Sequence, residues 1–376
     1  MFVKDAVFGN IEITPVEAKL IDTPEMQRLR YIKQTGLAYL VYPGATHSRF
    51  EHSLGTMNIS KEIANAVNLG KEEVESLAIA GLLHDIGHGP FSHLSDDILS
   101  KYLNTNHEKI GRDIITKSKI KEIIEGEGFS LNDILKKLSG KSNGEIVTAS
   151  LGSDRLDYLL RDAHYTGVTY GVIDYQQIKS KITLCKDHIA IYEQGIAPAE
   201  SLLIARYFMF TTVYHHHAVT IASSMLQKAV ELAIENKEIE PREFAKMNDF
   251  ELMERLLHSG TSKDLARRLI ERRLFKRVLY GDAIEVPSKE EIEKAILDNT
   301  TLKEGEFVVS VAKLKFINEE TPVLNRNRKV LGSVESLSPI IKTLKEREIT
   351  KILIASERKN KKKILRAIKG LNIKTT

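Results

Sequence analysis

The chain is predicted to be mostly α, with a helical core over residues 1–284 and a small α+β region over 285–376. Two observations carry this. Between residues 14 and 280, apolar residues recur at helical spacing behind helix-start signals such as Thr14-Pro15, Thr23-Pro24-Glu25 and Asn106-His107-Glu108. After Tyr280-Gly281-Asp282 the character changes to β-branched alternation, clearest from Phe307 to Phe316. A length of 376 residues suits two domains, or one with an appendage.

Composition narrows the function classes. The apolar fraction is 42% and the charged fraction 28%, as in an ordinary globular protein. A formal net charge of +4 gives no strong bulk attraction for nucleic acid or membrane. The single Cys185 excludes an internal disulfide framework and fits a reducing, cytoplasmic setting. No signal peptide and no apolar run of about 18 residues is visible, so secretion and membrane spanning are not expected.

In chain order, residues 2–13 alternate loosely and are expected to form a short hairpin around Gly9-Asn10. Pro15 takes the first position of a helix behind Thr14. Thr23-Pro24-Glu25 opens a second helix over Met26 to Ile32, closed by Gly36 and made basic by Arg28, Arg30 and Lys33. A solvated face is the simplest account of those charges. Pro43-Gly44 marks a turn, and a helix over about Leu54 to Asn68 follows. Arg49 and His52 lie three apart ahead of it. Alone, His52 would be an ordinary surface or capping histidine, but six of the twelve histidines fall between His47 and His107.

Glu72 to Leu83 is an amphipathic helix that turns apolar just before the run from His84 to His93. That run holds His84, His88, His93 and Asp85. Neutral imidazole beside carboxylate is ligand chemistry for a divalent first-row metal. One histidine at an apolar helix end is usually a core or capping residue, whereas a His-Asp pair with two further histidines so near is far rarer by chance. Gly87, Gly89 and Pro90 break the helix and let backbone approach the site closely.

Leu94 to Leu103 reads as a helix with Asp96 and Asp97 in its first turn, and Asn106 caps another helix through Ile115. His107, at that helix start, is expected to have a lowered pKa and so to stay neutral as a base or relay. Residues 117–145 are polar, punctuated by glycine, and expected to be a surface excursion. Glu145 to His164 is a helix on which Asp154, Tyr158 and Asp162 share one face, with Arg161 beside them and Arg155 one step round. Such a stripe lines a polar pocket, or else is an exposed face with a satisfied Asp–Arg pair.

Lys181 to Glu193 is expected to be a hairpin around Lys186-Asp187, and Ala197-Pro198 to open a helical stretch reaching about Asn236. Arg206, Phe210 and Tyr214 share a face of that stretch. His215, His216 and His217 point three ways around a helix and cannot form one metal site. Residues 241–280 read as two short helices with a basic cluster at Arg267, Arg268, Arg272, Arg273, Lys276 and Arg277. In the tail, Thr321 to Val330 is expected to pair with the Phe307–Phe316 strand, ahead of a helix over Ser336 to Arg347 and a strand over Lys351 to Ala355. The basic run Arg358 to Lys363 reads as solvated surface.

His52, His84, Asp85 and Asp154 together make a mixed nitrogen and oxygen ligand set. Thiolates are absent, so a structural cysteine–zinc site is excluded, while Mn, Fe, Ni, Zn and Mg all remain suitable. A divalent metal there would activate water and clamp phosphoryl oxygens. His88, His93 and His107 are then proton carriers, with Asp96 grouped among them. Arg49, Arg155 and Arg206 become phosphate donors. This set points to metal-assisted phosphoester hydrolysis.

The same residues carry a family resemblance. His52, His84-Asp85 and Asp154 resemble the H…HD…D pattern of the HD-domain phosphohydrolase superfamily. The segments Ile21–Arg30, Ser48–Gly55, His84–His93 and Asp154–Tyr158 are similar to its deoxynucleoside triphosphate triphosphohydrolase branch, which includes the vertebrate SAM-and-HD-domain enzymes. The resemblance spans about residues 5–285 and implies a mostly helical fold. It implies that His52, His84, Asp85 and Asp154 bind the metal, that His93 donates a proton to the leaving 5′ oxygen, that His107 relays or orients water, and that His88 faces the phosphates. Arg49, Arg155 and Arg206 match triphosphate contacts, Tyr158 and Tyr214 the sugar-and-base wall, and Gln34 and Asp162 groups that bond the 3′-hydroxyl. Asp22, Gln27, Arg30, Arg272 and Lys276 resemble a regulatory nucleotide site formed between subunits, so a homo-oligomer, dimer or tetramer, is expected.

Two departures bear on specificity. Thr35 stands where the branch usually has Leu near the sugar C2′, which leaves deoxy-versus-ribo selectivity open. Phe210 replaces a polar residue of the vertebrate enzymes. The leading function is hydrolysis of a dNTP, dGTP among them, to deoxynucleoside and inorganic triphosphate. The same site could serve a nucleoside mono- or diphosphate or a guanosine alarmone, and a non-catalytic guanine-nucleotide sensor is a third reading. Nucleic-acid binding rests on the basic clusters alone and ranks last.

Overall fold

The computed structural model describes residues 1–315, 320–371 and 373–375, with His93 described by its backbone alone. Helices dominate, as expected. The opening hairpin pairs Phe2–Asp5 with Gly9–Glu12, register Phe2 to Glu12. Its turn lies at residues 6–8 rather than at Gly9-Asn10, because Asp5 Oδ1 accepts from the N–H groups of both Val7 and Phe8 at 2.8 and 2.9 Å. The first helix, Pro15–Ile21, starts on a reciprocal cap between Thr14 and Glu17.

Three helices form the centre: Arg49–Ala66, Lys71–Leu83 and Ser153–Thr166. The first begins five residues before its expected start. Ser48 and Glu51 close a capping box there, which nucleates the helix at Arg49 and draws His52 into its first turn. Ile59, Ile63, Leu77, Leu156 and Leu159 share one apolar core between these helices. Phe50, Leu54, Met57, Leu82 and Leu83 face a second core that also takes in Met26 and Leu29. The site therefore hangs on elements gripped from both sides.

Several expectations change. Residues 117–145 are no loose excursion: Lys119–Gly126 and Leu131–Leu138 are helices whose Ile120, Ile124 and Ile134 are fully buried. Their polar residues all face outward except Lys137, whose buried ammonium bonds Asp133 and pairs with Glu73. The Glu145–His164 helix is split into Glu145–Thr148 and Ser153–Thr166, with Gly152 capping the second. The long helix from Ala197 is Ile196–Met209, a π-helical turn Phe210–Tyr214, and then His217–Glu235. Residues 241–280 hold three helices, Pro241–Phe244, Asp249–His258 and Lys263–Ile270, and then enter a strand, Lys276–Glu285.

Two four-stranded sheets complete the chain. Glu348–Ser356 runs antiparallel between Lys276–Glu285 and Phe307–Lys315, with Lys374–Thr375 at the far edge. Pro322–Leu324 does not pair with Phe307–Lys315 as expected. It pairs in parallel with His188–Tyr192, the second strand of the Ile182–Cys185 hairpin, and antiparallel with Val330–Ser333. Its buried Val323 joins the same core as Ile189 and Ile191, which explains the choice of partner. Phe316, the last residue of the expected strand, lies outside the described residues. Among the described residues no helix is long and apolar enough to cross a membrane.

Candidate active site

His52, His84, Asp85 and Asp154 converge, although 102 positions separate the first from the last. His52 Nε2 lies 3.2 Å from His84 Nε2, 3.2 Å from Asp154 Oδ1 and 3.5 Å from Asp85 Oδ2. His84 Nε2 lies 3.3 Å from Asp85 Oδ1 and 3.8 Å from Asp154 Oδ1. His84 follows the last turn of Lys71–Leu83, so its Nδ1–H donates to the Gly81 carbonyl at 2.8 Å and its Nε2 lone pair faces the cluster. His52, His84 and Asp85 each offer a ligand atom close enough to share one cation, and Asp154 Oδ1 adds a fourth donor beside His52, so two imidazoles and two carboxylates fit a divalent ion.

Burial opposes charge on the His52 imidazole, but hydrogen bonds to Asp154 and Asp157 raise it to about 10, so a cation held there would displace its proton. Burial alone would raise the Asp85 carboxyl, but Arg49, His84 and His88 hold it well below the usual carboxylate range. Asp154 is likewise buried, and the hydrogen bond from His52 together with His84 holds it at about 2. Both carboxylates are therefore ionised at neutral pH.

A second row of residues orients the first, and sequence reading passed over it. His52 Nδ1–H donates to Asp157 Oδ2 at 2.7 Å, which turns Nε2 toward the cluster. Asp157 is in turn gripped by Arg161, Nε to Oδ2 and Nη2 to Oδ1, both at 2.9 Å. Arg161 Nη1 reaches Asp5 Oδ2 of the opening hairpin at 2.8 Å. Arg161 and Asp157 are fully buried. The only signal for this chain was the i, i+4 spacing of Asp157 and Arg161, which also describes countless surface pairs.

The proton-carrier candidates lie against the ligands. His88 Nε2 is 3.3 Å from Asp85 Oδ1, and burial with the nearby Arg49 charge holds its pKa well below normal. Its ring stacks on His107, centroids 3.8 Å apart. Gly87 allows this approach: a Cβ there would lie 2.0 Å from the His107 carbonyl oxygen. His107 Nδ1–H donates to Asp96, 2.9 Å from each oxygen. The expected lowering of the His107 pKa is not found. Burial does oppose its charge, but the Asp96 carboxylate outweighs burial and the helix start, and the value is raised. Asp85, His88 and His107 make a second grouping with metal-ligand geometry. The side chain of His93 lies outside the described residues, although its backbone opens the His93–Leu103 helix.

Among the expected phosphate contacts, Arg49 bonds Asp85 through Nη1 and donates Nε to Ser92 Oγ at 2.7 Å, while its buried Nη2 has no partner among the described residues. Arg206 also keeps Nε and Nη1 buried, without partners among the described residues. It acts electrostatically on both Tyr158 and Tyr214, and Tyr158 lies edge-on to His52 with centroids 6.4 Å apart. Arg155 directs Nη1 to the Thr148 carbonyl and Ser150 Oγ at 3.2 and 3.3 Å. Asp162 accepts from the Tyr214 hydroxyl and from His47 Nε2, the latter at 2.8 Å. His47 is stacked on Tyr165 and its carbonyl accepts from the Gln34 N–H, so Gln34 joins the same wall with its Oε1 buried and unpartnered.

The five residues expected at a regulatory site formed between subunits have the following surroundings within one chain. Gln27 Nε2 donates to the Ile21 carbonyl and its Oε1 accepts from Arg30, whose guanidinium lies over Phe50. Asp22 caps the preceding helix. Arg272 and Lys276 line a cavity of about 560 Å³ together with His217, Arg277, Arg358 and Lys361.

A histidine–aspartate cluster held by a helical core, with partnerless guanidinium nitrogens beside it, is the arrangement of a metal-dependent phosphohydrolase. The chain belongs to the HD-domain family: the HD domain matches residues 49–161 and the HD associated region matches 173–375. An uncharacterized protein of Methanocaldococcus jannaschii is 41% identical over 74% of this chain and 59% of its own length. The deoxynucleoside triphosphate triphosphohydrolase SAMHD1 of Gallus gallus is 30% identical over 61% of this chain and 45% of its own. The chain thus spans about half the length of the curated relatives it matches. Among solved structures, a hypothetical protein from Aquifex aeolicus superposes with TM-score 0.81 at 30% identity, covering 98% of this chain and 99% of that one. A phosphohydrolase from Bacteroides thetaiotaomicron gives TM-score 0.79 at 25% identity, covering 95% and 100%.

Proposed function

We propose that this chain hydrolyses deoxynucleoside triphosphates to deoxynucleoside and inorganic triphosphate, with water attacking the α-phosphate. One observation carries the reading: buried guanidinium nitrogens without partners among the described residues, on Arg49, which bonds Asp85 of the two-imidazole, two-carboxylate cluster, and on Arg206, near the Tyr158 that adjoins His52. Unpaired buried donors are costly, and phosphate oxygens are the acceptors that satisfy them best. A triphosphate supplies enough oxygens for both arginines at once.

His52, His84, Asp85 and Asp154 would hold the divalent metal, with Mn, Fe, Ni, Zn and Mg all compatible with these donors. When bound, it supplies Lewis acidity and an acidified water. The protein does the rest. Arg49 and Arg206 bind and orient the phosphates. His107, tied to Asp96, holds a proton at Nδ1 and presents Nε2 as a relay or water-orienting group, with His88 stacked on it toward the phosphates. His93 is assigned the proton donated to the leaving 5′ oxygen. Tyr158 and Tyr214 wall the sugar, and Asp162 and Gln34 accept from and face its 3′-hydroxyl. Arg155, whose Nη1 bonds residues 148 and 150, is assigned to the triphosphate as well.

The experiment is incubation with each dNTP and NTP under Mn or Mg, with identification of products. Inorganic triphosphate and deoxynucleoside are expected. Orthophosphate or pyrophosphate without triphosphate would move the assignment to a mono- or diphosphate or an alarmone. The same reading takes the Arg272–Lys276 cavity as part of a regulatory nucleotide site completed between subunits. Turnover of one pure dNTP should then rise when GTP or a second dNTP is added.

A further inference from the structure

The loop from Gly89 to His93 is held in an unusual shape. Phe91 and Ser92, neither of them glycine, both adopt positive φ, 55° and 59°. Side chains rarely accept that region, and they stay there only where the surroundings fix them. The surroundings here come from residue 249, 158 positions beyond Phe91. Asp249 Oδ1 accepts from the Phe91 N–H at 2.7 Å and Oδ2 from the Lys33 N–H at 3.0 Å. One carboxylate therefore ties together two backbone segments, one ending in Ser92-His93 and the other adjoining Gln34.

Ser92 passes the constraint on. Its Oγ donates to the Lys33 carbonyl and accepts from Arg49 Nε, both at 2.7 Å. Arg49 is the residue that also bonds Asp85 and keeps Nη2 unpartnered. A neighbouring strut acts in parallel: Arg28 donates to the Met247 carbonyl at 3.1 Å and to the carbonyls of Ile86 and His88 at 3.1 and 2.7 Å. The start of the Asp249–His258 helix thus touches the catalytic run directly at the Phe91 N–H, and Arg28 links Met247, just before that helix, to two further carbonyls of the run. Burial pushes the Asp249 carboxyl up to about 6 against the pull of the two N–H groups. Holding it ionised at neutral pH is costly, and its two acceptor oxygens are what a neutral side chain of the same shape lacks.

We infer that Asp249 is a positioning residue for the active site: it fixes the Phe91–Ser92 bend so that Ser92 sets the guanidinium of Arg49 toward the phosphates. The inference rests on the phosphohydrolase reading of the site. Asp249 touches no reacting atom, and it lies outside the HD domain proper, in the associated region.

The test compares the wild-type protein with Asp249→Asn, which keeps one acceptor and replaces the other with a donor. Two readouts are taken: amide hydrogen exchange of the segment 89–95, and kcat and KM on the best nucleotide substrate, with metal content measured alongside. Exchange at 89–95 should quicken about tenfold or more, and kcat/KM should fall between about tenfold and a hundredfold with metal content unchanged. A merely structural role would lower thermal stability and leave kcat/KM of the folded fraction intact. Unchanged exchange, or wild-type kcat/KM in a folded variant, overturns the inference. If Asp249→Asn does not fold, Ser92→Ala decides: it must lower kcat/KM by a similar factor, and wild-type kinetics would overturn the proposed link. A wild-type protein that hydrolyses no nucleotide defeats the functional reading instead, and the exchange measurement still judges the bend.

Discussion

Individual side chains divide into those that would hold the metal and those that would move protons, and the two groups should separate experimentally. His84 Nε2 and Asp154 Oδ1 both lie within 3.8 Å of His52 Nε2, so each removes one of four donors when truncated. His107 lies one layer out, stacked on His88 and tied to Asp96. His84→Ala and Asp154→Ala should lose both metal and turnover. His107→Ala should keep its metal and lose turnover by about a hundredfold or more, the range of a general acid or base. Metal analysis of the three purified variants checks this, and equal metal loss in all three would contradict the division. Much of this was legible in the chain, because His84-Asp85 is contiguous and the surrounding histidines are dense. His107 was misjudged on one point: the helix start visible in the sequence argued for a lowered pKa, while Asp96, eleven positions away, was not visibly its partner and prevails.

At the scale of elements, three parts of the chain meet at one glycine. The Arg49–Ala66 helix crosses Ser153–Thr166 at Gly55, where a Cβ would lie 1.7 Å from Asp157 Oδ1 and 2.4 Å from Arg161 Nη2. Both side chains are fully buried and locked by paired hydrogen bonds, so neither end can swing away. Gly55→Ala should therefore break the Asp157–Arg161 pair, at a cost of about 3–5 kcal/mol for an uncompensated buried charge. It should also release His52 from Asp157 and weaken metal binding about 10- to 100-fold. Chemical denaturation and metal titration measure the two effects, and a folded Gly55→Ala with normal metal affinity would show the pair to be dispensable. Sequence reading missed this junction because Gly55 sits inside a helical pattern and Asp5 inside a hairpin, and no local pattern links them. It likewise misplaced Pro322–Leu324, since an apolar alternation says that a strand exists but not which edge it joins.

On the scale of the whole molecule, the change of composition near residue 285 invites a division into a helical core and a separate α+β unit, and its physical consequence is testable. Lys276–Glu285 lies before that point yet pairs along its length with Glu348–Ser356 beyond it. Val308, Leu353 and Ala355 of the sheet share an apolar core with Met225, Leu226 and Ala229 of the His217–Glu235 helix. On the same helix, Lys228 bonds Glu293 at 3.3 Å and Glu231 pairs with Lys289 at 3.7 Å. Parts that share a core and a sheet lose both when either unfolds, so they are coupled in stability. Urea unfolding followed by far-ultraviolet circular dichroism and by tyrosine fluorescence should give one coincident transition, the chain having tyrosines but no tryptophan. A chain ending at residue 284 should be insoluble or molten, because it would expose the Met225–Ala229 face and leave the Lys276–Glu285 strand without a partner. Two separated transitions, or a soluble and metal-binding 1–284 chain, would show instead that residue 285 begins an independent folding unit, and that the Asp249 strut needs nothing from the sheet behind it.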